Sequence, residues 1–168
     1  PFGAVGDRVG VAGDVDGDGY NDVLVAGPVG VVTYSGVDGS QLSFHDVGFS
    51  EDILNVAGMG DVDGDGQPDF FVAEENWTAR GYSRADGSEL WTVTGSFVGS
   101  IGWRMCALGD VNGDTVPDVA LGEPDADPSG TSSAGTVWVV SGDDGTVLNQ
   151  IHGTANYQQF GRAIACLQ

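Results

Sequence analysis

Asp14-Val15-Asp16-Gly17-Asp18-Gly19-Tyr20-Asn21-Asp22, followed by Val23-Leu24-Val25-Ala26, occurs in variant form twice more along the chain. The second copy is Asp61-Val62-Asp63-Gly64-Asp65-Gly66-Gln67-Pro68-Asp69 with Phe70-Phe71-Val72-Ala73. The third is Asp110-Val111-Asn112-Gly113-Asp114-Thr115-Val116-Pro117-Asp118 with Val119-Ala120-Leu121. The copies are spaced by 47 and then 49 residues. A fixed period in this range marks a protein built of repeated supersecondary units. The short apolar run behind each loop, rich in β-branched or aromatic residues and bounded by turn residues, predicts a strand covered on both faces.

Working outward, Asp38-Gly39, Asp86-Gly87 and Asp144-Gly145 each sit between two further strand candidates, and Asp-Gly is a strong hairpin signal. The segments ahead of those turns are 30–35, 79–84 and 135–141. The segments ahead of the acidic loops are Val5 to Ala12, Ile53 to Met59 and Ile101 to Leu108. One repeat is therefore strand, acidic loop, strand, variable loop, strand, Asp-Gly turn, strand. Four antiparallel strands in about 48 residues describe a β-propeller blade. The chain is expected to be all-β, with blades at about 5–48, 52–96 and 101–153 and the first strand of a fourth at 160–168. Closed propellers have four to eight blades. Further blades are thus expected from the same longer chain or from a second copy in a homo-oligomer. Beginning at Pro1 with no Met or signal segment, the chain reads as a processed or excised piece.

The loops carry the chemistry. Positions one, three, five and nine bear side-chain oxygens: Asp14, Asp16, Asp18 and Asp22; Asp61, Asp63, Asp65 and Asp69; Asp110, Asn112, Asp114 and Asp118. The position-seven carbonyls of Tyr20, Gln67 and Val116 can fill another place. An all-oxygen set in a flexible loop suits Ca²⁺, which takes six to eight oxygens. The absence of Cys and His from the loops argues against zinc. Two carboxylates about 4 Å apart repel by roughly 4 kcal/mol at an effective dielectric of 20, so a converging set calls for a cation. Solvated turns with Asp chosen for turn propensity would explain one or two acids per loop, not the same oxygen positions three times. A helix-flanked calcium loop would need Glu at position twelve, where Val25, Val72 and Leu121 stand. The third site, with Asn112 for an acid and Thr115 for a glycine, is expected to bind most weakly.

Composition agrees with this reading. The 168 residues hold 25 Asp plus Glu against 5 basic residues, a formal net charge of −20, and 11 of the acids lie in the loops. One divalent cation per loop would bring the charge to −14. Such a balance argues against nucleic acid and anionic membranes as partners. No run approaches the roughly 18 apolar residues of a membrane span. Cys106 and Cys166 can pair in an oxidising compartment. Their places in apolar runs favour the alternative of buried thiols.

These motifs resemble the FG-GAP repeats of the integrin α-subunit propeller and its bacterial relatives. Phe160-Gly161, with Val5-Gly6 and Ile101-Gly102 in matching places, stands for the Phe-Gly pair, and Ala26-Gly27-Pro28 and Gly122-Glu123-Pro124 for the Gly-Ala-Pro element. The second repeat departs, with Asp52-Ile53 and Ala73-Glu74-Glu75. The resemblance implies calcium in the hairpin between the first two strands of each blade and an extracellular or cell-surface setting.

Antiparallel order puts the variable loops at the end of each blade away from the acidic loops. These are Glu74 to Thr78, Asp125 to Ala134 and Gly153 to Gln159, with Trp77, Tyr157 and His152 as exposed candidates. Trp91, Trp103 and Trp138 are expected in the core. Arg104 and Arg162 are expected to pair with acids or to line a central channel. The function expected is a non-enzymatic module for adhesion or for binding a protein or glycan. The alternative is an accessory or catalytic part of a secreted polysaccharide-acting enzyme. Only His45 and His152 are present and no Gly-x-Ser-x-Gly elbow occurs, so nothing points to catalysis directly. A quinone-cofactor propeller rests on the single run Asp86 to Trp91.

Overall fold

The computed structural model describes residues 6–46, 53–96 and 99–165. They form twelve strands in three four-stranded antiparallel sheets, each running in chain order. The first holds β1 (Arg8–Gly13), β2 (Asp22–Gly27), β3 (Gly30–Tyr34) and β4 (Gln41–His45). The second holds β5 (Ile53–Gly60), β6 (Asp69–Glu74), β7 (Thr78–Tyr82) and β8 (Glu89–Thr94). The third holds β9 (Met105–Gly109), β10 (Asp118–Glu123), β11 (Thr136–Val140) and β12 (Val147–His152). Among the described residues the only helical turn is a 3₁₀ turn at Pro128–Gly130, no helix is long and apolar enough to cross a membrane, and the sheets do not close into a ring.

Alternation along the buried strands joins the sheets. Phe70 and Val72 are on one face of β6, and they pack with Leu24, Ala26 and Val31 of the first sheet.

 Phe71, between them in sequence, points the other way into a cluster with Val119, Leu121 and Val140 of the third sheet. The second sheet is thus covered on both faces, and β6 and β10 are buried along their whole length, as their apolar runs predicted. Trp91 is buried at the second junction and donates through Nε1 to the Gly142 carbonyl at 2.8 Å.

Among the inner strands β5 lies against both β1 and β9, and the three line an open trough of about 810 Å³. Backbones approach closely here. A Cβ on Gly58 would lie 2.7 Å from the Val11 carbonyl oxygen, a contact that only a missing side chain avoids.

Several expectations need correction. The third sheet's first strand begins at Met105 rather than Ile101, because the chain turns at Gly102, where φ is 83°. In the same way residues 161–165 are turn and coil around Gly161, with one isolated bridge from Phe160 to Gly135. No strand is formed over 160–165, and 166–168 lie outside the described residues, as do Val5 and Asp52. Trp103 falls in the turn before β9 and is 38% exposed, whereas Trp91 is core and Trp138 is half-buried. Arg104 lines the trough and donates to the Trp103 carbonyl, and Arg162 donates to the Gln159 amide oxygen. The ion pairs among the described residues instead belong to Arg80, with Glu74 and Glu89. Cys106 is not a free thiol but disulfide-bonded; the chain's other cysteine, Cys166, lies outside the described residues.

Gly58→Ala is expected to destabilise the protein by about 1–3 kcal/mol, since backbone must move to admit the methyl group. Urea unfolding monitored by tryptophan fluorescence measures it.

Candidate metal-binding loops

Each acidic loop joins the first two strands of its sheet, and in each one the carboxylates first organise their own backbone. The position-one acid accepts N–H bonds from positions four and six: Asp14 from Gly17 and Gly19, Asp61 from Gly64 and Gly66, Asp110 from Gly113 and Thr115, all at 2.6–3.0 Å. Position three accepts from the N–H of position five, in Asp16, Asp63 and Asn112. Position five accepts from the N–H of Tyr20, Gln67 or Val116. This wraps the chain tightly around the side-chain oxygens.

The position-nine acids are different in kind. Asp22, Asp69 and Asp118 are buried and use both carboxylate oxygens. One oxygen accepts from the position-two N–H, at 2.7 Å from Val15, 2.9 Å from Val62 and 2.8 Å from Val111. The other accepts from the N–H of Gly36, Arg84 or Gly142, two residues ahead of the Asp-Gly turn. Each thus ties an acidic loop to the β3–β4, β7–β8 or β11–β12 turn of the same sheet.

Convergence differs among the loops. Oxygens of Asp14, Asp16 and Asp18 all lie within 4.8 Å of one another, and so do those of Asp61, Asp63 and Asp69. Two ligands about 2.4 Å from a common Ca²⁺ are at most about 4.8 Å apart, so neither group is too wide to share one metal ion. Asp65 keeps its place at position five. The electrostatics reflect the crowding. Lost hydration pushes the Asp16 carboxyl up, reinforced by the charges of Asp18, Asp22 and Asp14. Burial raises Asp69, with Asp63 and Asp65 adding to it against the N–H groups of Val62 and Arg84.

The third loop lacks such a carboxylate triad. Asn112 donates its amide to Asp114 at 2.7 Å, and the N–H groups of Gly113 and Thr115 hold Asp110 below the ordinary carboxyl value. Thr115 also sits at φ 76°, where Gly19 and Gly66 have φ 90°. A β-branched residue in this region is strained.

With this geometry in view, comparison with known families finds the FG-GAP-like repeat over residues 14–72 and again over 61–121. The chain belongs to the FG-GAP repeat family. No curated protein matches it. The matched FG-GAP spans both run from one acidic loop into the strand that follows the next loop, so loop and strand recur as a unit.

At the other end of the sheets, Trp77 is 38% and Tyr157 77% exposed, and His152 is exposed with Nδ1 3.0 Å from the Thr136 hydroxyl. Glu74, expected in a variable loop, is instead a buried end of β6 paired with Arg80. Sequence reading also missed the role of Glu123, fully buried at the end of β10. It accepts bonds from the Ser96 N–H, the Ser96 hydroxyl and Trp138 Nε1, which joins the third sheet to the chain leaving the second. It missed Arg84 as well, whose guanidinium bonds Pro68, Thr33 and Ser43 across the first two sheets. No local pattern marks these residues, because their partners are distant in sequence.

Two outcomes follow for stability. Thr115→Gly is expected to raise stability by about 1 kcal/mol by relieving the strained backbone, as measured by urea unfolding. The second concerns pH. Hydroxyl and N–H groups of Ser40, Ser88 and Thr146 hold the pKa of Asp38, Asp86 and Asp144 below the ordinary carboxyl value. A lowered folded-state value means that these turns stabilise fully above that pH and lose their contribution as pH falls below it. Unfolding midpoints compared between about pH 5 and pH 3 should show a smaller acid loss once all three are replaced by Asn.

Proposed function

We propose that this FG-GAP chain is a calcium-binding module of an extracellular protein, with calcium structural and the loop face away from the metal binding a protein or glycan. The observation that carries the calcium reading is the pair of carboxylate triads at Asp14, Asp16, Asp18 and Asp61, Asp63, Asp69, whose oxygens lie within the span of one ion. The donors are all hard oxygen, which suits Ca²⁺ over softer metals. Asp22 and Asp65 complete the first and second sets, and Asp110, Asn112, Asp114 and Asp118 supply a third, weaker one. When bound, the ion supplies charge neutralisation; the chain's own acids hold the loop backbone and its link to the neighbouring turn.

The disulfide at Cys106 supports an oxidising, extracellular setting, where such bonds persist. A propeller completed by further blades is supported by the first sheet's outer face. Val9 is 63% exposed, although the equivalent Val56 of the second sheet is buried against the first. The role is that of a binding module rather than an enzyme.

Calorimetric titration of chelator-treated protein should show two tighter calcium sites and one weaker, with a melting temperature that rises on calcium addition. Identical melting in millimolar calcium and in chelator would overturn the reading.

A further inference from the structure

The sheet connections at the end away from the acidic loops are short in the first two sheets, residues 28–29 and 75–77, and long in the third, residues 124–135. Loops of such length within a compact domain are usually functional. This one does not hang free. It is woven to the segment that leaves β12. The Tyr157 N–H donates to the Ser132 carbonyl at 2.8 Å, the Gln159 N–H to Ser133 at 3.0 Å, and the Phe160 N–H to Ala134 at 2.9 Å. The Ser132 N–H donates to the Asn156 side chain at 3.1 Å, and the Gln159 side chain donates to Asp125 at 3.0 Å. Inside the long loop, Asp127 accepts from the Ser133 N–H at 2.6 Å.

This bonding holds several non-glycine residues in the left-handed region: Ser129, Ser133, Tyr157 and Gln159, with φ from 44° to 59°. For a residue as bulky as tyrosine that conformation is costly and persists only where its surroundings enforce it. Its result is visible at the surface. The Tyr157 side chain is 77% exposed, the most exposed large hydrophobic or aromatic side chain among the described residues.

We propose that Tyr157 is the floor of a subsite for a neutral sugar ring; this rests on reading the metal-free face as the binding face, and it names the ligand class. The ring is aromatic and amphipathic, and its place is fixed before binding, which lowers the ordering cost. Next to it in the two segments are the exposed Ser132, with its hydroxyl, and the exposed Asn156 and Gln158, whose amide oxygens accept the Ser132, Thr154 and Ala155 N–H groups and whose amide N–H₂ groups are of the type that hydrogen-bonds sugar hydroxyls. A protein interface would be anchored by a cluster of apolar side chains. Here the one other exposed large apolar residue in the two segments is Phe160, at 36%. An anionic glycan would meet a chain of net charge −20. A saccharide offers a flat C–H face to the ring and hydroxyls to the rim.

The test is affinity gel electrophoresis of the whole chain in millimolar calcium, through gels containing hydroxyethylcellulose, xylan, galactomannan or glycogen. Tyr157→Ala, Tyr157→Phe and Trp77→Ala are run beside the parent, with calcium-dependent melting of each variant as the check on folding. At least one polysaccharide should retard the parent. Tyr157→Ala should weaken that binding at least about tenfold, while Tyr157→Phe, which keeps the ring, retains it to within about threefold. Retardation unchanged in Tyr157→Ala but lost in Trp77→Ala overturns the subsite and leaves the binding face standing. No retardation by any of the four overturns the neutral-sugar assignment, and the calcium reading is judged separately by the melting shift.

Discussion

A carboxylate buried at the closing position of each acidic loop is the constraint on which the sheets depend. Asp22, Asp69 and Asp118 give one oxygen to the loop's own backbone and the other to the backbone ahead of the Asp-Gly turn. A buried carboxylate left without such donors would cost several kcal/mol. The bonds therefore make loop, buried second strand and outer hairpin form together. This also explains why the acid recurs at the first residue of β2, β6 and β10. The remaining acids of each loop lie outside the core, where they are left to respond to a cation, joined in the second loop by Asp69 itself.

The division of labour between loop ends follows from this. At one end the backbone is wound around carboxylates and its shape repeats three times. At the other end nothing imposes a common shape, and the connections range from residues 28–29 to residues 124–135. Between the two ends the sheets pack through residues alternating along β6, with Phe70 and Phe71 serving opposite junctions. A rigid middle with one conserved-shape end and one variable end is a scaffold on which surface loops can differ without disturbing the core.

Much of this was legible in the sequence because the signals were local. The oxygen positions of Asp14 to Asp22 and their two copies marked the loops, Asp38-Gly39 and its counterparts marked the hairpins, and the runs beginning at Phe70 and Val119 marked strands buried along their whole length, whereas the run at Val23 marked a strand buried on one face, with Val23 and Val25 half-buried. What escaped was non-local or conformational. Gly102 and Gly161 turn the chain where an apolar run suggested strand, and Trp103 is carried out with the first of these turns. Arg84 and Glu123 look like ordinary surface charges until sheets from elsewhere in the chain close over them. The bond at Cys106 depends on a distant cysteine, which an apolar neighbourhood does not reveal. The double role of the closing aspartate was hidden as well, since a ligand position and a backbone clamp have the same residue type.

The account stands on the acidic loops as cages for a hard cation. The most direct measurement is anomalous diffraction from crystals grown in calcium, with data recorded on either side of the calcium absorption edge. It predicts peaks bounded by Asp14, Asp16 and Asp18 and by Asp61, Asp63 and Asp69, with a weaker one beside Asp110 and Asp114. Well-ordered loops with no anomalous peak at any of these places would contradict it.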